Sequence, residues 1–226
     1  MTHTITFGDD GSAGSDLAWS WICDQNWSGW EVEVVRAVQP ELGPPPPPAL
    51  SQLHSWQPER PRERFSESHL GSIVHLTAVQ DPRLLLSRPA DLLVIGARGP
   101  GIAKALRLGS TAEWLLESPP GPMVITRHST RVKRTVLATD GSADAVLATR
   151  TLAALPWISD TTVHIVAIED GLCDRAGAVE QARSILEAAQ VSPVVSLLKG
   201  RPSKVLLAEL EQIGRASCRE RVCYPV

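Results

Sequence analysis

The sequence predicts an α/β fold: a doubly wound, parallel, five-stranded sheet followed by an incomplete second copy of the same arrangement. Short apolar runs alternate with segments of helical periodicity, a pattern typical of parallel sheets covered by helices on both faces. A glycine array directly follows one apolar run, and an Asp-Gly-Ser-Ala sequence occurs twice. Together these observations indicate one complete α/β domain and the beginning of another.

The first predicted strand, residues 5–8, leads into the turn Asp10-Gly11-Ser12, which can cap a helix running to about Asp24. Right-handed crossovers place the turns after strands one and four side by side, at the point where the strand order reverses. The remaining predicted elements of this half are strands at 31–38, 73–79, 91–95 and 122–126, and helices at 82–88 and 110–117.

A proline-rich segment at residues 40–72 separates the second and third predicted strands. It contains five consecutive prolines at 44–48, which favour an extended backbone without internal hydrogen bonds. We therefore expect a mobile excursion with at most one weak helix. The arginines at 60, 62 and 64 alternate with glutamates, which predicts a solvated surface.

Composition excludes several classes of function. The 226-residue chain is 43% hydrophobic, which is enough for a core, and its net charge of -3 gives no electrostatic footprint for nucleic acid or anionic membranes. The N-terminal residues do not resemble a signal peptide, and no apolar run approaches about 18 residues, so we expect a cytoplasmic protein. The four cysteines fit neither a disulfide framework nor a zinc site, and no metal site or catalytic nucleophile is predicted.

The second half of the sequence repeats features of the first. Asp140-Gly141-Ser142 repeats the earlier turn, and residues 163–166 repeat the second predicted strand. Residues 194–202 resemble the third predicted strand and the residues that follow it. The predicted organisation is therefore a domain at 1–128, a linker at 129–134 and a partial second domain at 135–212.

The candidate ligand site is the array Gly-x2-Gly-x9-Gly-Ser formed by Gly96, Gly99, Gly109 and Ser110. Glycines at the carboxyl end of a buried parallel strand let backbone N–H groups approach a phosphate, and a helix beginning at Ser110 favours an anion. The array is neither a Walker A loop nor a dinucleotide fingerprint. Lys104 and Arg107, within the array, are either phosphate partners or solvated loop cations.

A strand followed by Asp-Gly-Ser, the glycine array, and a closing Pro-Met-Val-Ile-Thr strand resemble the universal stress protein family in its tandem form. This resemblance implies an adenine nucleotide alpha hydrolase-like domain that binds ATP or a related adenine nucleotide, with or without Mg²⁺, and acts in stress responses. It implies pairing through the last strand, as a homodimer or an intrachain pseudo-dimer. Asp10 matches the family aspartate at the adenine-ribose end, and Ala37 matches the segment lining the adenine pocket.

Other interpretations of the same residues remain open. The glycines can be turn formers, and Asp10 and Asp140 can be helix caps. The favoured function is that of a nucleotide-binding regulatory protein that is not an enzyme. Two alternatives are a slow ATP-hydrolysing enzyme on the same scaffold and a dimerisation module that binds no nucleotide.

The C-terminal tail departs from the repeat. A fourth strand and a second glycine array should follow Leu210, yet only sixteen residues remain. Residues 213–222 resemble the conceptual translation of a DNA-sequencing adapter. We therefore expect residues 213–226 not to be native protein and any bound nucleotide to lie in the first half.

Overall fold

The computed structural model describes residues 3–38, 70–97, 108–169 and 175–215. The first two ranges and the beginning of the third form a five-stranded, all-parallel sheet in the order β3-β2-β1-β4-β5. The strands are β1 His3–Gly8, β2 Trp30–Val38, β3 Ile73–Val79, β4 Leu92–Gly96 and β5 Met123–Thr126, and the helices are α1 Ala13–Asp24, α2 Pro82–Leu86 and α3 Ser110–Glu117. This arrangement confirms the predicted fold class.

The predicted element bounds of this half differ from the observed ones by a few residues at most. Strand β1 begins two residues before the prediction, at His3, because its ladder with β2 extends to the pair His3 and Trp30. Helix α2 ends at Leu86, two residues before the predicted end. The proline-rich excursion and its arginine cluster lie largely outside the described residues.

Apolar side chains alternate between the two faces of this sheet, as the two-residue period of a strand requires. One face carries Phe7 and Val94 under helix α1, and the other carries Leu93 and Ile95 under helices α2 and α3. All four of these side chains are at most 5% exposed. Strand β4 is therefore buried on both faces, which explains its continuous apolar sequence.

The second half forms a separate three-stranded parallel sheet in the order β6-β7-β8. Its strands are β6 Arg134–Ala138, β7 Thr162–Glu169 and β8 Val194–Lys199, and its helices are α4 Ala143–Ala154, α5 Ala176–Ala188 and α6 Pro202–Arg215, with a short 3-10 helix at Ile158–Asp160. Strand β6 begins at Arg134, the last residue of the predicted linker. Among the described helices, none is long and apolar enough to cross a membrane.

Tryptophans join the two halves into one hydrophobic core. The ring of Trp157 packs edge-on against Trp21 at 6.0 Å between ring centroids and against Trp27 at 6.2 Å. Trp27 and Trp157 are each 1% exposed. The same number of residues separates Trp27 from Trp157 as separates Asp10 from Asp140, so the halves meet through corresponding positions.

The side-chain amide of Gln25 holds the linker against the first half. Its Oε1 accepts the N–H of Val132 at 3.1 Å, and its Nε2 donates to the carbonyl of Thr130 at 3.2 Å. Gln25 is 2% exposed, and its bond to Val132 is buried, whereas its bond to the exposed Thr130 is partly buried. A buried amide that is satisfied on both atoms fixes the path of the chain between the two sheets.

Replacing Trp157 with alanine tests the shared core. Removing a fully buried indole should lower the free energy of unfolding by about 3–5 kcal/mol, because it leaves a cavity in the core that the two halves share. Chemical denaturation followed by circular dichroism measures this loss. The control Leu147→Ala removes a side chain that is 61% exposed and should change stability by less than about 0.5 kcal/mol. Equal effects of the two substitutions would contradict a shared core.

Candidate functional site

The candidate site lies at the carboxyl edge of the first sheet, where β1 is flanked by β2 and β4. Gly8, the last residue of β1, is in register with Val35 of β2 and Ile95 of β4. The connections from β1 and β4 leave on opposite faces of the sheet, with helix α1 on one face and helix α3 on the other. In parallel sheets this arrangement leaves a crevice between the carboxyl ends of the two strands. The sequence-predicted residues Asp10 and Gly96 follow or end the two strands that meet here.

The Asp-Gly-Ser turn is a helix-capping turn in both halves. Oδ1 of Asp10 accepts the N–H of Ser12 at 2.9 Å, and Oδ1 of Asp140 accepts the N–H of Ser142 at the same distance. The intervening glycines have φ angles of +75° and +79°, a region that favours glycine. Ser12 and Ser142 then cap helices α1 and α4. Asp10 itself is exposed.

The electrostatics of the turn are clearest at Asp140. The hydroxyl and N–H of Ser142 donate to its carboxylate and hold the pKa of Asp140 below its ordinary value, with a further contribution from the positive charge of Arg175. Desolvation acts in the opposite direction but is the weaker influence. The carboxylate of Asp140 therefore stays ionised at neutral pH.

Two charged residues that the sequence analysis did not single out, Asp9 and Arg36, form an ion pair beside Asp10. Nη2 of Arg36 contacts Oδ2 of Asp9, whose side chain is completely buried. Oδ1 of Asp9 accepts the N–H of Gly11 at 3.0 Å and the hydroxyl of Ser15 at 3.1 Å. The signal in the sequence was an arginine within the otherwise apolar end of β2, but only the strand register shows that it faces Asp9.

Gly96 has a structural reason to be glycine. A Cβ atom at this position would lie 2.4 Å from the carbonyl carbon of Gly14 and 2.9 Å from the backbone nitrogen of Ser15. Helix α1 therefore packs directly on the end of β4. This contact holds the first turn of α1 against the crevice, and it requires glycine whether or not a ligand is bound.

Gly109 and Ser110 occupy the predicted positions at the beginning of a helix. Gly109 is the N-cap of α3, with no side chain to cap it, and Ser110 is the exposed first residue. The N–H of Gly109 donates to the carbonyl of Ala97 at 2.8 Å, which closes the base of the intervening loop. This bond places the first N–H groups of α3 next to the residue that follows β4. Gly109 has no side-chain oxygen with which to cap them.

The remaining predicted residues divide between described and undescribed parts of the chain. Ala37 lies in β2, half-buried, in register with Ala78 of β3. Gly99, Lys104 and Arg107 lie outside the described residues. The structure thus brings Asp10, Gly96, Gly109 and Ser110 to the β1–β4 side of the crevice, with Ala37 on the β2 side.

A comparison with solved structures identifies this architecture. A universal stress protein from Archaeoglobus fulgidus superposes with a TM-score of 0.71 at 19% sequence identity, over 95% of this chain and 85% of that one. The chain has the universal stress protein fold. A universal stress protein from Lactobacillus plantarum matches over 56% of this chain, at 15% identity and a TM-score of 0.43. This match covers 98% of the Lactobacillus chain.

The likeness to universal stress proteins is one of fold. A protein from Mycobacterium tuberculosis also matches, over 36% of this chain and 64% of its own length, at 20% identity and a TM-score of 0.30. No protein-family model and no curated protein matches the sequence. The comparisons therefore support the fold, and the candidate site rests on the residues described above.

Substituting Gly96 with alanine tests the close approach of α1 to β4. The added methyl group must displace the backbone of Gly14, so we expect Gly96→Ala to lower the free energy of unfolding by at least about 1–3 kcal/mol. The control is Gly177→Ala in helix α5, where a Cβ meets nothing within 4 Å. That substitution should leave stability unchanged or raise it by up to about 1 kcal/mol. Thermal unfolding of both variants decides the matter, and a neutral Gly96→Ala would show that α1 does not pack as described.

The titration of Asp140 tests the hydrogen bonds of the turn. Ser142→Ala removes the hydroxyl donor, so the pKa of Asp140 should rise towards its ordinary value of 3.8, whereas Ser142→Thr should keep it low. Because the folded-state pKa is the lower one, this charge stabilises the fold above the unfolded-state pKa and ceases to do so as pH falls through the folded-state pKa. NMR titration of the carboxyl carbon measures the shift, and an unchanged pKa in Ser142→Ala would contradict the assignment.

Proposed function

We propose that this chain binds ATP or a related adenine nucleotide at the carboxyl edge of its first sheet and acts as a regulatory universal stress protein. The site comprises Asp10, Ala37, Gly96, Gly99, Gly109 and Ser110, and it accepts the nucleotide with or without Mg²⁺. The observation that carries the proposal is the convergence of the Asp10 turn and the start of helix α3 on the crevice between β1 and β4.

The physical chemistry of each part supports the proposal. The exposed carboxylate of Asp10 can accept hydrogen bonds from an exocyclic amine or a ribose hydroxyl. The N–H groups at the beginning of α3, which Gly109 has no side chain to cap, favour a phosphate together with the helix dipole, and Ser110 adds a hydroxyl donor. Ala37 is a small, half-buried residue near the end of β2, and we place the base beside it. These groups bind and orient a nucleotide, which suits a binding protein rather than an enzyme.

We further propose that the partial second sheet belongs to a tandem arrangement in a cytoplasmic protein. Trp27 and Trp157 occupy corresponding positions and pack against each other, as residues across an approximate two-fold axis do. The two halves would then form an intrachain pseudo-dimer. A homodimer formed by pairing of the last strand, β5, is the alternative assembly.

The two Asp-Gly-Ser turns provide a matched test of nucleotide binding. Asp10→Ala and Asp140→Ala remove carboxylates with the same hydrogen bond to the same turn, so they should perturb their helices alike. Only Asp10 lies beside the glycine array. We expect Asp10→Ala to weaken ATP binding about ten-fold or more and Asp140→Ala to leave it unchanged, as measured by isothermal titration calorimetry.

The outcomes separate the competing functions. No ATP binding by the unaltered protein, together with no bound nucleotide after purification, would reject the proposal in favour of a dimerisation module. Sustained phosphate release that is lost in Asp10→Ala would instead favour a slow ATP-hydrolysing enzyme. Equal loss of binding in both variants would show that the carboxylates act through their turns and not through contact with the nucleotide.

A further inference from the structure

The buried Asp9–Arg36 pair lies where β1 and β2 separate. Gly8 and Val35 are the last registered pair of these strands, and the N–H of Asp9 adds one more bond, to the carbonyl of Val35 at 2.9 Å. In the described residues the ladder of β2 then continues with β3 alone, as far as Val38. The chain that leaves β1 turns into the cap of α1. The two strands therefore separate at the edge of the candidate site.

Each member of the pair precedes a residue of the candidate site. Asp10 follows Asp9 and is the proposed contact of the ribose or the exocyclic amine, and Ala37 follows Arg36 beside the proposed position of the base. The Asp9 side chain is 0% exposed and that of Arg36 is 14% exposed. Salt screens a buried ion pair much less than an exposed one. The pair is therefore suited to hold the two chain segments together.

The second half has neutral residues in place of this pair. There the N–H of Thr139 extends the ladder to the carbonyl of Val166 at 3.0 Å. Because Ala138 is in register with Val166, Thr139 occupies the position of Asp9, and Ala167 occupies that of Arg36. The fold thus forms the same strand ends without either charge.

The bond from this position to the turn does not need a charge either. Oδ1 of Asp9 accepts the N–H of Gly11 at 3.0 Å, and Oγ1 of Thr139 accepts the N–H of Gly141 at 3.3 Å. A threonine therefore supports the turn on its own strand. The carboxylate of Asp9 adds a contact with the neighbouring strand, through Arg36.

We propose that Asp9 and Arg36 are positioning residues, which fix the separation between Asp10 and Ala37 and so set the spacing of the ribose and base contacts. A buried ion pair is costly to desolvate, and neutral replacements are often equally stable, so folding alone does not explain it. A site whose contacts are already spaced for the ligand loses less conformational entropy on binding. This role uses the contact between Arg36 and Asp9 and requires no guanidinium donor for the ligand. It rests on the proposed nucleotide function and deepens it.

The double substitution Asp9→Thr and Arg36→Ala tests this role. Threonine can keep the bond to the turn, the link to β2 is lost, and no lone buried carboxylate remains. We expect the affinities for adenosine, AMP and ATP to fall by the same factor, about three- to ten-fold, because all three share the adenosine contacts. Isothermal titration calorimetry measures the three affinities.

The conservative variant Arg36→Lys keeps a cation beside Asp9. We expect it to retain all three affinities to within about two-fold, because a contact with one carboxylate oxygen does not need the planar guanidinium fork. A loss in Arg36→Lys as large as that in the double variant would contradict the positioning role.

Arg88→Ala is the matched control. It removes the partner of Glu33, which lies on the same strand β2 but forms a more exposed ion pair, at 3.2 Å, away from the turn after β1. This substitution should leave all three affinities unchanged, and circular dichroism shows whether each variant is folded.

The outcomes distinguish this inference from the function on which it rests. Unchanged adenosine affinity in the double variant, or a larger loss for ATP than for adenosine, overturns the positioning role while nucleotide binding stands. A double variant that does not fold also overturns it, because the pair would then serve the fold. Failure of the unaltered protein to bind both ATP and adenosine overturns the inference and the proposed function together.

Discussion

The backbone of Gly96 approaches that of Gly14 so closely that no side chain fits between them, and the carboxyl edge of the first sheet depends on this contact. It presses the first turn of α1 onto the end of β4. From that position Ser15 of α1 reaches Asp9, and Asp9 reaches Arg36 on β2. One close approach therefore connects the ends of three adjacent strands and fixes the shape of the crevice between them.

Most of the first sheet could be predicted from the sequence because its strands and helices differ in period. Strand β3 and helix α3 have the bounds that their patterns predict, and the order of the strands follows from right-handed crossovers. The ends of β1 and α2 were less predictable, because they depend on pairing with a neighbouring strand and on the capping of a short helix. The packing of Trp157 against Trp27 depends on how the two halves meet, which no local pattern encodes.

The candidate site was predictable in part. The Asp-Gly-Ser turn and the helix beginning at Ser110 are local features, and the structure places both at the crevice. Asp9 and Arg36 lie far apart in sequence, and only the β1–β2 register makes them neighbours. Two reasons for a glycine at position 96 apply together. The contact with the backbone of Gly14 requires glycine, and a backbone that approaches a phosphate would leave no room for a larger side chain.

Amide chemical shifts recorded during titration with ATP test whether the first half alone holds the nucleotide. We expect shifts at residues 8–12, around Ala37 and Gly96, and at 109–111, with none at 140–142. That contrast is informative because the two Asp-Gly-Ser turns have the same geometry. Shifts confined to residues 140–142, or no shifts at all at saturating ATP, would contradict the account.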